Sequence, residues 1–121
     1  MGKAASAVKS QKEMVLRAKK FVDSVDKICR ARGLKLVEVY VVGSRARGDY
    51  LEDSDIDLVL VIEGVEKLNQ LERKLMFKDV VVGGVDFTIL SPVEWTSNSP
   101  IIEMMRREAI PLNRLVHAFL S

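Results

Sequence analysis

The sequence has 121 residues, of which 48% are hydrophobic and 30% are charged, and its formal net charge is +2. This composition is typical of a globular protein, and the length suits one domain rather than a catalytic domain joined to a full substrate domain. No apolar run approaches the roughly 18 residues of a membrane span, so we expect one domain over residues 1–121 and no membrane association.

The basic residues are concentrated near the N-terminus. Residues 1–35 contain ten Lys and Arg against three Asp and Glu, whereas residues 36–121 contain nine against fourteen. Apolar residues recur three and four positions apart over about residues 6–32, which predicts an amphipathic helix that ends at Gly33. The basic side of this N-terminal segment, residues 1–33, is either a solvated helix face or a surface for an anion, RNA or a protein partner. Aromatic residues are not interleaved with the basic ones, so a groove for single-stranded nucleic acid is not expected.

The chain contains one cysteine, Cys29, at an apolar position of this helix. We predict a buried structural thiol there. A single cysteine cannot form an internal disulfide and suits a reducing compartment, so we expect a cytoplasmic protein.

Residues 36–62 contain two apolar runs separated by a polar segment. Residues 36–42 and 57–62 are predicted strands, because both are rich in Val, Ile and Leu. Between them, a short helix is predicted from Ser44 to about Arg47, where Gly48 ends it, and an acidic loop follows over residues 49–53.

Two aspartates stand where the second strand begins. Asp55 and Asp57 are two residues apart, and alternate residues of a strand point the same way, with Cα atoms roughly 6.5 Å apart. Both carboxylates can therefore reach one divalent cation or a pair of them, and Mg²⁺ prefers such ligands together with phosphate oxygens. The alternative is that these aspartates cap a helix or lie in a loop and face water.

A glycine and a serine follow the first strand directly. Gly43 lets the backbone approach a bulky anion, and the Ser44 hydroxyl and the amides at a helix start can donate to phosphate oxygens. Arg45 and Arg47 add fork-shaped donors that suit phosphate. The alternative is an ordinary turn with a serine cap and two solvated arginines.

These motifs together resemble the signature of the DNA polymerase beta-type nucleotidyltransferase superfamily. Gly43 and Ser44 are followed after ten residues by Asp-x-Asp, with apolar strands on both sides. The fuller string Gly-Ser-Arg-Ala-Arg-Gly-Asp, followed by Ser-Asp-Ile-Asp-Leu, is similar to the minimal nucleotidyltransferases. These are small prokaryotic proteins that often pair with a HEPN-type partner in toxin–antitoxin modules. The resemblance covers residues 36–90, the predicted catalytic core, and implies an α/β (α+β) nucleotidyltransferase fold with a short mixed sheet and helices mainly on one face.

The resemblance also implies an activity. It implies transfer of AMP from ATP to a hydroxyl group, most simply a tyrosine of a HEPN toxin, by an enzyme that acts as a type VII-like antitoxin. Two Mg²⁺ ions would be held by Asp55 and Asp57, with Asp86 as the third carboxylate. Gly43 and Ser44 would cradle the β- and γ-phosphates, and Arg47, with Arg45, would offset their charge. The alternatives are a non-catalytic nucleotide-binding antitoxin and a transferase for a small molecule; nucleic acid is not required, and a homo-oligomer is possible.

The segment after the second strand is harder to interpret. Residues 66–77 are predicted to be a helix with its leucines inward, namely Leu68, Leu71 and Leu75. Residues 78–84 form either the first arm of a Gly-Gly hairpin or a loop, and residues 85–90 are a predicted strand. Read from the residues alone, Asp86 in this strand can also face solvent at a sheet edge.

Residues 98–121 are predicted to contain two helices and an edge strand. A turn of helix at residues 93–95 and a loop precede a helix over residues 100–108, with an apolar side of Ile101, Met104 and Met105. Residues 110–112 suit only an edge strand because Pro111 lacks a donor. The last helix, which presents Leu112, Leu115, Val116 and Phe119, packs on the core or on a partner. His117, the only histidine, is predicted to lie on the surface of that helix.

Overall fold

The computed structural model describes the backbone of residues 2–121 and the side chains of residues 5–121; Met1, which the predicted domain includes, lies outside the described residues. The chain forms six α-helices and four strands over this range. In order they are α1 (Gly2–Ala31), β1 (Lys35–Val42), α2 (Ser44–Arg47), β2 (Ile56–Glu63), α3 (Gln70–Leu75), β3 (Val85–Leu90), α4 (Pro92–Trp95), α5 (Pro100–Glu108), β4 (Ile110–Pro111) and α6 (Leu112–Leu120), with a 3₁₀ turn at Lys78–Val80.

The four strands form one mixed sheet in the order β3-β2-β1-β4. β1 is antiparallel to both β2 and β4, whereas β2 and β3 are parallel. The predicted α/β class and the short mixed sheet are therefore confirmed. Over residues 2–121, no helix combines the length and the apolar character needed to cross a membrane.

Helices cover both faces of the sheet, but unequally. On one face α1 and α6 enclose the larger core, which includes Phe21, Leu58 and Leu115. On the other face α4 and α5 cover a smaller cluster, in which Trp95 stacks on Tyr40 with ring centroids 4.9 Å apart. Successive residues of β2 therefore point into two apolar clusters, which explains its almost unbroken run of Val, Leu and Ile.

The two ends of the chain pack against each other. Cys29 is fully buried on the inner side of α1, as predicted, and burial raises the pKa of its thiol to about 11. In α6, Leu112 and Leu115 are buried in the same core, so the core-packing interpretation of this helix is confirmed. His117 lies exposed, and the two-residue β4 pairs with the edge of β1, as the sequence predicted.

The prediction for α3 is wrong in length and in orientation. The helix begins only at Gln70, where Asn69 caps it, and Leu71 and Leu75 are 68% and 50% exposed. The inner position is taken by Arg73, whose guanidinium donates to the Glu94 carboxylate at 2.6 Å and to the carbonyl oxygens of Leu68 and Ile89. An arginine can be buried here because β3, α4 and the turn before α3 each hold one of its acceptors, which periodicity does not reveal.

Two further predictions are refined by the structure. Residues 78–84 form a 3₁₀ turn and a loop rather than a hairpin strand, and β3 starts at Val85. In α5 the bounds are as predicted, but Ile101 and Met104 are exposed, while Ile102 and Met105 pack on the smaller cluster. The prediction for the apolar side of α5 was therefore wrong, because the observed apolar side is rotated about the helix axis by part of a turn.

Candidate active site

The sheet brings three predicted site residues to one edge. β1 is antiparallel to β2, and β2 is parallel to β3, so the end of β1 meets the starts of β2 and β3. Val42 is paired with Asp57, and Asp57 is paired with Asp86. The glycine after Val42 thus lies beside Asp57. Both aspartates point to the face of the smaller cluster, since the residues next to them, Leu58 and Phe87, belong to the core under α1.

Position 43 requires glycine, both for its backbone conformation and for its close contact with Asp57. Its φ of 74° and ψ of −155° lie in a region that is essentially restricted to glycine. A Cβ atom at this position would lie 2.7 Å from Oδ2 of Asp57, which is closer than real Cβ contacts. The absence of a side chain therefore lets the turn and the Asp57 carboxylate come together, and Ser44 begins α2 immediately afterwards.

Asp57 lies in an unfavourable electrostatic environment. Burial is the largest cause that raises the pKa of Asp57 above its ordinary value, and neighbouring negative charges raise it further, those of Asp86, Asp55 and Glu108. The positive charge of Arg47 lowers the pKa of Asp57, but its effect is the smallest of these. A group of oxygen ligands with unbalanced negative charge is the chemistry that suits a hard divalent cation such as Mg²⁺.

The other two aspartates, Asp55 and Asp86, lie at the same end of the sheet but are more exposed than Asp57. Oδ1 of Asp86 accepts the N–H of Phe87 at 2.9 Å and lies 3.8 Å from Nζ of Lys74. Asp55 precedes β2 and is exposed. Within the part of the chain whose side chains are described, no three His, Cys, Asp or Glu side chains converge closely enough to hold one metal ion. The side chain of Asp86 is 66% exposed, so its contact with Lys74 is weak and a turn toward Asp57 costs little.

Arg45 does not occupy the position that its predicted role requires. Its side chain is 1% exposed and donates to the carbonyl oxygens of Glu52 and Ser54 and to the side chains of Ser10 and Gln11. Its guanidinium also lies 4.3 Å from the ring centroid of Tyr50. The guanidinium of Arg45 therefore ties the acidic loop to α1 and has no donor turned to a phosphate, which corrects its assignment as a nucleotide ligand.

Arg47, in contrast, lies at the site and has an unpredicted partner. Its Nη1 donates to Oε2 of Glu108 at 2.7 Å, and its Nε donates to Asp49 at 3.1 Å. The second carboxylate oxygen of Glu108 accepts the N–H of Gly43 at 2.8 Å. Nothing in the sequence indicates that the end of α5 returns to this turn, because the contact spans more than 60 residues and follows from the pairing of β4 with β1.

Two cavities flank this edge of the sheet. A cavity of about 280 Å³ is lined by Gly43, Asp57, Asp86 and Glu108 together with apolar walls from Val42, Leu58, Phe87 and Met105. A wider cavity of about 560 Å³ lies between α1 and the acidic loop and contains Asp55, Lys9 and Arg17. The arrangement can therefore admit a ligand on either side of the aspartates.

Substitution of the two arginines should affect different properties: stability for Arg45 and ligand binding for Arg47. We expect Arg45→Gln to lower the free energy of unfolding by about 3 kcal/mol, because several buried acceptors lose a charged donor. Arg47→Gln should change stability by less than about 1 kcal/mol, since its ion pairs are exposed, but should weaken binding of the ATP and Mg²⁺ that the family resemblance implies. Urea unfolding and calorimetric titration measure the two effects. A fully stable Arg45→Gln variant that had lost ATP binding would contradict this division of roles.

Comparisons with known proteins identify the family of this chain. The sequence model of the nucleotidyltransferase domain family matches residues 22–109, a range that contains the turn, the three aspartates and Glu108. A crystal structure of a "putative nucleotidyltransferase" from Sulfolobus solfataricus is similar over 92% of this chain and 89% of that chain, with 34% sequence identity and a TM-score of 0.72. No curated protein matches the sequence. The chain therefore belongs to the nucleotidyltransferase domain family, as its resemblance to the minimal nucleotidyltransferases predicts.

Proposed function

We propose that this nucleotidyltransferase transfers AMP from ATP, with Mg²⁺, to the hydroxyl group of a tyrosine in a HEPN-domain toxin, and so acts as a cytoplasmic antitoxin. Family membership supports the transferase class. The observation that carries the proposal is the pairing of Asp57 with Asp86 on neighbouring strands, directly beside the Gly43 turn.

The residues present fit magnesium. Their ligand atoms are carboxylate oxygens, and the pKa of Asp57 is raised first by burial and then by the negative charges of Asp86, Asp55 and Glu108, both of which a bound cation would offset. Asp55 and Asp57 would hold both ions, and Asp86 would share the second after turning from Lys74. Bound Mg²⁺ supplies charge neutralisation on the phosphates and lowers the pKa of the attacking hydroxyl.

The remaining steps fall to groups of the chain itself. The Gly43 amide and the Ser44 hydroxyl would bind the β- and γ-phosphates, and Arg47 would offset the charge of the leaving pyrophosphate. The acceptor oxygen forms a bond to the α-phosphorus while the bond from that phosphorus to the oxygen of the β-phosphate breaks. Asp86 would take the proton of the acceptor hydroxyl.

The smaller cavity supports a tyrosine as the acceptor. It is about 280 Å³ in volume, with apolar walls that include Val42 and Met105 and with Asp57 and Asp86 at its edge. A tyrosine side chain is complementary to this lining, since its ring is apolar and its hydroxyl is polar. An aromatic residue presented by another protein can therefore place its hydroxyl beside the carboxylates while its ring is shielded from water.

Labelled ATP tests the proposal. The protein would be incubated with Mg²⁺ and with the product of the neighbouring gene, which the proposal expects to be a HEPN-domain protein, using ATP labelled in either the α- or the γ-phosphate. We expect the α-label, but not the γ-label, on the partner, and none on a partner whose acceptor tyrosine is changed to phenylalanine. Neutralisation of the toxin without any label would instead identify a non-catalytic binding module.

A further inference from the structure

Glu108 contacts two phosphate-binding groups of the proposed function, the Gly43 amide and Arg47, whereas Asp49 contacts Arg47 alone. It is the last residue of α5, and its side chain is 22% exposed. One oxygen accepts the backbone N–H of Gly43 at 2.8 Å, and the other accepts Nη1 of Arg47 at 2.7 Å. Both donors are thus occupied before any ligand is present.

The contacts of Glu108 are of the kind that a phosphate group would make. Two anionic oxygens from one group bind a backbone amide and a guanidinium, and both donors suit phosphate oxygens equally well. The hydrogen bond from Arg47 is the main reason that the pKa of Glu108 lies below its usual range, and the bond from Gly43 adds to it. Glu108 is therefore an anion at neutral pH.

A phosphate oxygen cannot accept the Gly43 N–H while Glu108 holds it, and it can reach Arg47 only through guanidinium N–H groups that Glu108 and Asp49 leave free. To take over both contacts of Glu108, binding must break two charge-assisted hydrogen bonds, which are stronger than neutral ones. The displaced carboxylate also stays close to Asp57, whose pKa it already raises through its negative charge. Its repulsion then acts on the negative charges of the polyphosphate as well.

We propose that Glu108 is a built-in substitute for a phosphate group: it holds the Gly43 turn and Arg47 in place before the nucleotide binds, and the β- and γ-phosphates displace it. This inference rests on the proposed function of the site. Glu108 is accordingly a positioning residue that weakens polyphosphate binding, and it favours release of pyrophosphate by returning to the same two donors.

Glu108→Gln tests the inference by the sign of its effect. The amide retains an oxygen for the Gly43 N–H but loses the charge that holds Arg47 and repels phosphate. With Mg²⁺ present, calorimetric titration should show about tenfold tighter binding of tripolyphosphate and of ATP. The affinity for AMP, which lacks β- and γ-phosphates, should not change. Glu103→Gln, an exposed carboxylate of the same helix, is the matched control and should bind all three ligands like the wild type.

The possible outcomes separate this inference from the proposed function. If the wild type binds ATP but Glu108→Gln binds tripolyphosphate no more tightly, or more weakly, the substitute role is overturned and the proposed function stands. If neither protein binds ATP or tripolyphosphate, both are overturned. If only the variant binds, the inference is supported. Thermal unfolding of both variants, and of Glu108→Ala, which should change affinity in the same direction, shows whether the fold is intact.

Discussion

Asp57→Asn is expected to reduce nucleotidyl transfer by at least about 10³-fold. Asp57 is the carboxylate that lies between the other parts of the site, because it is paired with Asp86 in the sheet and lies against the Gly43 turn. Under the proposed function the amide removes a negative ligand for Mg²⁺, and charge stabilisation by a bound metal contributes several kcal/mol at about 1.4 kcal/mol for each factor of ten. Transfer of the α-label from ATP to the acceptor measures the effect.

The same variant should not lose stability at pH 7. Since the folded protein raises the pKa of Asp57, the folded state binds the proton more tightly than the unfolded state does. Stability contributed by this group is therefore lost as the pH rises through its folded pKa, and the ionised form opposes folding at neutral pH. Asparagine has nearly the same shape without the charge, so urea unfolding should show equal or greater stability.

A control distinguishes the loss of a site carboxylate from the loss of a negative charge elsewhere in the chain. Asp79 is an exposed aspartate in the 3₁₀ turn after α3, and Asp79→Asn should keep wild-type activity and stability. An Asp57→Asn variant that kept a tenth or more of the wild-type rate would show that this carboxylate is not a metal ligand.

Gly43→Ala is expected to reduce activity by at least about 10²-fold and to lower the free energy of unfolding by about 3 kcal/mol. The backbone conformation alone costs a non-glycine residue about 1–3 kcal/mol. In addition, the new methyl group would lie 2.7 Å from Oδ2 of Asp57, so either the turn or the carboxylate must move. Displacing reacting groups by about 1 Å can cost 10²-fold in rate.

Gly48 provides the matched control for this substitution. It also has a positive φ, of 90°, but a Cβ atom there would meet no heavy atom within 4 Å. Gly48→Ala should therefore cost only the left-handed backbone term, about 1–2 kcal/mol, and should retain activity. Urea unfolding and transfer assays on both variants compare backbone strain alone, in Gly48→Ala, with backbone strain plus a steric clash with Asp57, in Gly43→Ala. Equal activities for the two would mean that the contact with Asp57 does not matter for the reaction.

The parts of this fold that depend on local pattern were predictable from the sequence. The strands around the motif, the long N-terminal helix and the two-residue edge strand are confirmed within a few residues. Each of them buries apolar side chains at a regular period, or contains a residue such as Pro111 that excludes other structures. The approach of Asp86 to Asp57 came from the family resemblance, and the parallel register of β2 and β3 accounts for it.

The errors concern charged side chains whose partners are distant in sequence. Arg45 was assigned to a solvent-facing or ligand-facing position and Arg73 was given no role, yet each is buried among acceptors from other elements. Glu108 was missed because its partners lie 61 and 65 residues away. Periodicity reports which side of a helix is apolar, but it cannot report that a buried charge will meet a matching group once the chain has folded.

The parallel pairing of β2 with β3 also sets the distance between the two aspartates independently of the segment that connects these strands. Neighbouring strands lie about 4.8 Å apart, so backbone hydrogen bonding alone sets the interval between the Cα atoms of Asp57 and Asp86. The crossover of residues 64–84, which includes α3, joins the strands without setting that interval. Lengthening or shortening the crossover should accordingly leave the carboxylate geometry intact, which makes this segment a natural place for divergence or for a grafted domain.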